Sequence, residues 1–372
     1  MEEIKLFSDL NISSDVMKAL DKMGLKTPTT IQRQAIPIMM DGINLIAKAP
    51  TGTGKTFAFG IPLLEYLNMK EKRVQDLIIC PTRELALQIS AEVKGLGQFI
   101  RGFKCATLIG GQSMGMQIQN LKKGPQIVVA TPGRLLDHAQ RNTINLSAVY
   151  TIILDEADEM LSMGFIKDIR KIMDITPPDK QIALFSATLS REVMDISWEY
   201  IHEAKEIEVE AVHEDLPQIR QFIISVPDKD KEDILQQIVK ENQLDKIIVF
   251  CNTKNRVEKL SLNLKKKGYS VDCLHGDIPQ RFRNRIMDGF RNNDFSILVA
   301  TDVAARGIDV TDVEGVFNFD VPAENEYYLH RIGRTGRAKK RGAAYTFMSY
   351  MEKARMEEIQ RYTKIELEEL EF

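Results

Sequence analysis

Short apolar, β-branched runs alternate with stretches of helical spacing along this whole chain, and that alternation leaves few folds open. Candidate strands in the first half are Asn44–Ala47, Leu77–Cys80, Ala106–Ile109, Gln126–Ala130, Thr151–Leu154 and Gln181–Phe185. In the second half they are Lys246–Phe250, Ser270–Leu274, Ser296–Ala300, Gly315–Phe319 and Ala343–Met348. Between them, apolar residues recur at helical intervals, as in Leu85, Ile89 and Val93, or Met114, Ile118 and Leu121. Strands that alternate with helices predict parallel sheets covered on both faces. The pattern runs through residues 1–209, breaks at the polar stretch Glu210–Pro217 and resumes through 217–372, so residues 210–216 are read as a linker. At 372 residues the chain has the length of two such domains. Ligands of doubly wound sheets bind at the C-terminal ends of strands, where functional residues are therefore sought.

Composition excludes several classes. The longest apolar runs stop far short of a membrane span, and the acidic start Met1–Lys5 does not resemble a secretory signal, so a cytoplasmic protein without membrane contact is expected. Four widely spaced cysteines, Cys80, Cys105, Cys251 and Cys273, form no metal-like pair and read as reduced thiols. Net charge is −3, which argues against nucleic-acid binding through bulk positive charge. Local charge differs. Residues 254–291 hold ten Lys/Arg against four Asp/Glu, and residues 331–341 hold six against none, so a modest anionic contact surface remains open.

After the first strand comes Ala49-Pro50-Thr51-Gly52-Thr53-Gly54-Lys55-Thr56, leading into a helix. Glycines let the backbone curl so that N–H groups converge on phosphate oxygens, and the helix adds its positive N-terminus. In such a loop Lys55 serves the β- and γ-phosphates of ATP, and the Thr56 hydroxyl serves Mg²⁺. A plain glycine-rich turn is the alternative, which the lysine, the threonine and the strand–helix context together disfavour. Pro50 removes one backbone N–H but leaves the Gly52–Thr56 cradle intact. The run Thr151–Leu154 ends in Asp155-Glu156-Ala157-Asp158. Alone, these acids would read as a solvated turn. Near a phosphate loop, Asp155 can hold Mg²⁺ through water and Glu156 can polarise an attacking water.

Asp155–Asp158 spells the name of the DEAD-box helicase family, and the rest of that family's pattern follows in order over nearly the whole chain. Phe7 and Gly24–Gln32 (GLKTPTTIQ, with Lys26 and Thr27) resemble its adenine-recognising Q motif; Pro81–Ala86 (PTRELA), Gly110-Gly111 and Thr131–Arg134 (TPGR) resemble its RNA-contacting motifs. Ser186-Ala187-Thr188 matches the motif that couples ATP to RNA. Val249–Asn252, Gln280–Arg283, Thr301–Asp309 (TDVAARGID) and His330–Arg337 (HRIGRTGR) match the second domain. The resemblance implies two tandem RecA-like doubly wound α/β domains. It also implies RNA-stimulated ATP hydrolysis with local, non-processive strand separation.

Roles follow residue by residue. Gln32 offers the donor and acceptor that adenine needs, as amides do elsewhere. Phe7 can cover one face of the base, although a core position before the helix starting near Ser13-Ser14 explains it equally well from the residues alone. The resemblance implies that Asp309 holds the ribose and that Arg334 and Arg337 are arginine fingers, whose planar forks suit the spread charge of a transferring phosphoryl group. His330, Ser186, Thr188 and Asp158 would link the nucleotide to the RNA side. RNA candidates in the first domain are Pro81, Thr82, Arg83, Gly111, Thr131, Gly133 and Arg134; in the second they are Thr253, Gln280, Arg283 and Thr301. Singly, each would also make ordinary turn chemistry. Exposed aromatic residues form no cluster in the sequence, so contacts independent of base sequence are expected. The rivals are a DNA translocase, which the Q motif disfavours, an ATP-gated RNA clamp, and a kinase, for which no acceptor pocket is apparent.

Overall fold

The chain folds as two units, Met1–Val212 and His213–Phe372. The structure is a computed structural model that describes residues 4–50, 52–209, 219–305, 313–336, 342–363 and 367–372, without the side chains of Gln280, Val303, Ala305 and Glu326. The expected linker, Glu210–Pro217, lies outside the described residues.

The first unit carries β1 (Leu45–Lys48), β2 (Asp76–Ile79), β3 (Cys105–Leu108), β4 (Ile127–Ala130), β5 (Thr151–Asp155), β6 (Gln181–Ser186) and β7 (Lys205–Glu208). They form one sheet in the order β3-β4-β2-β5-β6-β1-β7, with every pairing parallel. The second unit carries β8 (Ile219–Ser225), β9 (Ile247–Phe250), β10 (Val271–Leu274), β11 (Ile297–Ala300), β12 (Gly315–Asn318), β13 (Gly342–Met348) and β14 (Glu368–Glu369). Their order, β10-β11-β9-β12-β13-β8-β14, is parallel throughout as well.

The strands are apolar on both sides because both sheet faces are covered. Within β2, Ile78 packs into one layer of core while Leu77 and Ile79 pack into the other. In β9, Ile247 and Val249 face one layer and Ile248 and Phe250 the opposite one. That two-sided burial made the expected strands legible, and each forms within one residue of its expected bounds. Three strands escaped the reading. β7 (Lys-Glu-Ile-Glu) is an edge strand with three of its four residues exposed, so it has no apolar signature. β8 mixes Arg220 and Gln221 with Ile219, Phe222, Ile223 and Ile224 directly after the expected linker, and β14 is two exposed glutamates. Among the described residues no helix is long and apolar enough to cross a membrane.

One buried acid lies away from the strand ends that carry the motifs. Asp76 opens β2, is 4% exposed, and burial pushes its carboxyl up to about 8 against an opposing hydrogen bond from Thr151. A carboxyl raised in the fold keeps its proton where the unfolded chain has lost it. Stability therefore falls as pH rises from about 4 to 8, by up to about 1.4 kcal/mol per unit. The Asp76→Asn protein should gain thermal stability relative to the parent as pH rises across that window. Melting curves at pH 5, 6, 7 and 8 check this, and a difference that does not vary with pH would place the carboxyl in its ordinary range.

Candidate functional site

Parallel pairing brings every strand's C-terminal end to one edge of its sheet, and the candidate residues collect there. In the first unit β1, β6 and β5 are neighbours and carry the phosphate loop, the Ser186–Thr188 turn and the Asp155–Asp158 acids. On the other half of the same edge, β2, β4 and β3 carry Pro81–Arg83, Thr131–Arg134 and Gly110-Gly111. Nucleotide candidates and RNA candidates thus occupy adjoining halves of one edge.

The phosphate loop is built by backbone that only glycine adopts readily. Gly52 and Gly54 have φ of 87° and 90°, and Gly54 caps the helix Lys55–Glu65. Gln32 explains why Gly54 tolerates no side chain: a Cβ there would lie 2.5 Å from Gln32 Nε2. Gln32 Nε2 donates to Gly54 O (3.0 Å), and its Oε1 accepts from Thr29 N (2.9 Å). Thr29 Oγ1 in turn donates to Thr53 O (2.8 Å), and Thr53 Oγ1 to Pro50 O (2.9 Å). The Gln32 amide thus braces the loop with one N–H and one lone pair, and keeps a second N–H and lone pair for a ligand. Lys26 and Thr27 are exposed. Phe7 is not. Its ring is 1% exposed and packs in the core, and its N–H donates to Lys26 O (3.1 Å).

Lys55, 6% exposed, donates from Nζ to Ala49 O (3.3 Å) and lies 4.0 Å from Asp155 Oδ1. Burial pushes the Asp155 carboxyl up, and the Lys55 charge opposes it. Glu156 N donates to Asp155 Oδ1 (3.0 Å), while Glu156 itself sits at φ 51°, ψ 54°, a left-handed conformation that costs a non-glycine residue about 1–2 kcal/mol. Such strain, held in place at a strand tip, is a mark of functional positions. Among the described residues no group of three or more His, Cys, Asp or Glu could cage a metal. One buried carboxylate and the Thr56 hydroxyl fit Mg²⁺, which binds through few protein ligands, water and substrate phosphates.

The Ser186–Thr188 turn ties these parts together. Asp158 Oδ2 accepts from Thr188 N and Thr188 Oγ1 (2.9 Å each), Asp158 N donates to Ser186 Oγ (3.1 Å), and Ser186 O accepts from Ala49 N (2.8 Å).

The RNA candidates stand at helix N-termini, where N–H groups and the helix dipole favour anions. Thr82 caps Arg83–Leu96, its Oγ1 accepting from Leu85 N (3.2 Å), and Thr253 caps Lys254–Lys266 through Arg256 N (3.3 Å). Each hydroxyl keeps its proton to donate. Thr131 precedes the helix Pro132–Gln140, with Gly133 exposed in its first turn, and Pro81 is buried at its strand end. The Arg83 guanidinium lies against Gly110, where an added Cβ would be 3.0 Å from Nη2, and Gly111 follows at φ 77°. In the second unit Arg283 Nη2 donates to Ala304 O (3.2 Å), and Thr301 N donates to Leu274 O (3.2 Å). Arg334, 8% exposed, donates from Nε to His330 O (3.1 Å). Gln280 begins the helix Gln280–Arg291. Thr51, Asp309 and Arg337 lie outside the described residues.

The sequence reading missed Arg331, which is 1% exposed and organises the second unit's strand ends. Its Nη2 donates to Asp302 Oδ2 (2.7 Å) and Asn252 Oδ1 (2.8 Å), its Nη1 donates to Asp320 O (2.7 Å), and its plane lies over Phe250. Its signal in the sequence is its place as the first arginine of the run His330–Arg337, three residues before Arg334.

The geometry predicts that Gly54→Ala lowers affinity for a fluorescent ATP analogue at least tenfold, because the new Cβ displaces Gln32 and strains the cap. Equilibrium titration measures it, and parental affinity would show that the Gln32 brace does not shape the nucleotide loop.

Comparison with known proteins shows the family. Residues 29–196 match the family model described as DEAD/DEAH box helicase, and residues 230–339 match that of the helicase conserved C-terminal domain. The chain is 44% identical, over 98% of its length and 74% of the relative's, to the DEAD-box ATP-dependent RNA helicase CshA of Bacillus subtilis. It is similar to S. cerevisiae Dbp5 bound to RNA and ADP BeF3, with a TM-score of 0.90 at 30% identity, covering 99% of this chain and 96% of that one. It is also similar to Mss116p bound to ssRNA and AMP-PNP, with a TM-score of 0.88 at 30% identity, covering all of this chain and 80% of that one.

Proposed function

Because the chain belongs to the DEAD-box family of ATP-dependent RNA helicases, we propose that it hydrolyses ATP in response to single-stranded RNA and uses the cycle to separate short duplexes or remodel RNA–protein assemblies. The observation that carries this reading is the sharing of one sheet edge. Asp155–Asp158, after β5, stand beside Pro81–Arg83, after β2, with the phosphate loop farther along the edge on one side and Thr131–Arg134 and Gly110-Gly111 farther along on the other, and hydrogen bonds through Ser186, Asp158 and Thr188 connect the nucleotide half internally.

In this proposal Lys55 neutralises β- and γ-phosphate charge, Thr56 and Asp155 hold Mg²⁺ largely through water, and Glu156 orients the attacking water. Mg²⁺ would supply charge neutralisation at the phosphates when bound. Gln32, with Lys26 and Thr27, selects adenine through its remaining donor and acceptor. Arg334 and Arg337 act as arginine fingers, whose cationic forks suit the charge of a transferring phosphoryl group; such a finger is worth about 10³–10⁵ in rate. RNA is gripped by hydroxyls, arginines and helix N-termini on its sugar–phosphate backbone, which carries no sequence information. A cytoplasmic location is part of the same proposal.

ATP turnover with and without single-stranded RNA, beside a duplex-separation assay, tests the whole. Turnover indifferent to RNA would sink it. Glu156→Gln should keep ATP and RNA binding while lowering turnover at least about 100-fold, since the amide preserves shape and loses the base. Near-normal turnover would exclude Glu156 as the water-orienting group. RNA affinity should also depend on nucleotide, about 5–150-fold tighter with a non-hydrolysable ATP analogue than with none. Fluorescence anisotropy at one salt concentration measures it. Equal affinities would mean that the two halves of the edge act independently.

A further inference from the structure

Gln117 is the one buried residue of the helix Met114–Leu121, and it is polar. At 2% exposure its amide must find partners, and it finds three. Nε2 donates to Ile109 O (2.8 Å), the carbonyl just before Gly110-Gly111. Oε1 accepts from Arg134 Nη1 (3.1 Å) and from His138 Nε2 (2.9 Å). Arg134 Nη1 also donates to Gln112 O (3.1 Å). The glycine turn is therefore held on both sides, at Ile109 O by Gln117 and at Gln112 O by Arg134. With Nη1 spent in this way, the Nε and Nη2 edge of the guanidinium remains to meet a phosphate as a fork.

His138 fixes the arrangement from behind. It is fully buried, and since Gln117 Oε1 can only accept, His138 Nε2 must carry the hydrogen. Nδ1 lies 2.8 Å from Thr143 Oγ1, whose one proton is shared between Nδ1 and the His138 carbonyl (3.0 Å). Burial, followed by the Arg134 charge, holds the imidazole below its usual range, which keeps it in this neutral form.

We propose that Gln117 is a positioning residue for RNA: through one buried amide, locked by His138, it sets the Arg134 guanidinium and the Gly110-Gly111 turn as a single preformed phosphate-binding element. This rests on the reading of Arg134 as an RNA contact. It adds residues outside the motifs that the sequence displays, and it makes RNA affinity depend on a side chain that does not touch RNA.

The test is a double-mutant cycle on the whole chain, read as the RNA concentration giving half-maximal ATPase stimulation at fixed salt. Gln117→Met should raise that concentration about tenfold, with ATP KM and turnover at saturating RNA within about twofold of the parent. Arg134→Ala should raise it at least as much. Adding Gln117→Met to Arg134→Ala should change it less than about twofold, because the element that Gln117 sets is already gone. His138→Leu should move the same quantity about threefold and lose that effect in the same background, so the proposal stands or falls even if Gln117→Met folds poorly. Additive effects would overturn the proposal and leave Gln117 a mere packing residue, as would a fall in turnover with unchanged RNA dependence. An Arg134→Ala protein with unaltered RNA dependence would remove the premise, and the proposal with it.

Discussion

Uniform parallel pairing is the constraint on which everything else in each unit depends. It forces each strand to be followed by a connection that returns to the opposite end of the sheet, and helices supply it. All strand tips then point the same way, so residues as distant in sequence as Lys55, Arg134 and Thr188 come to one edge. The same pairing buries both faces and makes the strands uniformly apolar. Polar residues at the tips, where the apolar runs stop, are the only part of the sheet free to do chemistry.

At that edge the spatial order differs from the chain order. β5, β6 and β1 gather the nucleotide candidates, and β2, β4 and β3 gather the RNA candidates. A change at the phosphate loop need not travel far. Ala49 N is bonded to Ser186 O, Ser186 Oγ takes the Asp158 N–H, and Asp158 takes both donors of Thr188. Each link is a hydrogen bond between half-buried or buried groups, where loss of a partner costs about 1–3 kcal/mol. The segment therefore has reason to move as a unit.

Much of this was legible in the sequence because the same physics writes both. Apolar runs marked strands buried on two faces, and Gly52, Gly54 and Lys55 marked a loop that only one backbone shape satisfies. What was not legible had no local signature. β8 is read as a strand only once β13 pairs with it along Gly342–Met348, and β7 is a polar edge with nothing to bury. The burial of Phe7 depends on core residues far along the chain, which no local pattern marks. Arg331 and Gln117 look like surface residues on helices. Their burial comes from tertiary partners, Asp302 and Asn252 for one, Ile109, Arg134 and His138 for the other.

The two sheets repeat one order, β10-β11-β9-β12-β13-β8 following β3-β4-β2-β5-β6-β1, yet the loops after β1 and β8 have opposite electrostatics. Both lead into a helix whose first residue is a buried lysine, Lys55 at 6% and Lys231 at 1% exposure. Before Lys55 lie Gly52 and Gly54, whose backbone N–H groups are suited to a triphosphate. Before Lys231 lies Val226-Pro227-Asp228, and Lys231 Nζ is 3.2 Å from Asp228 Oδ1, with Glu352 Oε2 at 3.7 Å. Arg256 also pairs with Asp228 and pulls its carboxyl below the usual range. A triphosphate approaching this loop would meet anionic Asp228 and a proline that lacks an N–H, where the first unit offers glycine amides. The equivalent lysine in the second unit is neutralised by the protein's own carboxylates, Asp228 and Glu352. Duplicated architecture thus yields one glycine-lined loop and one structural ion-pair cluster.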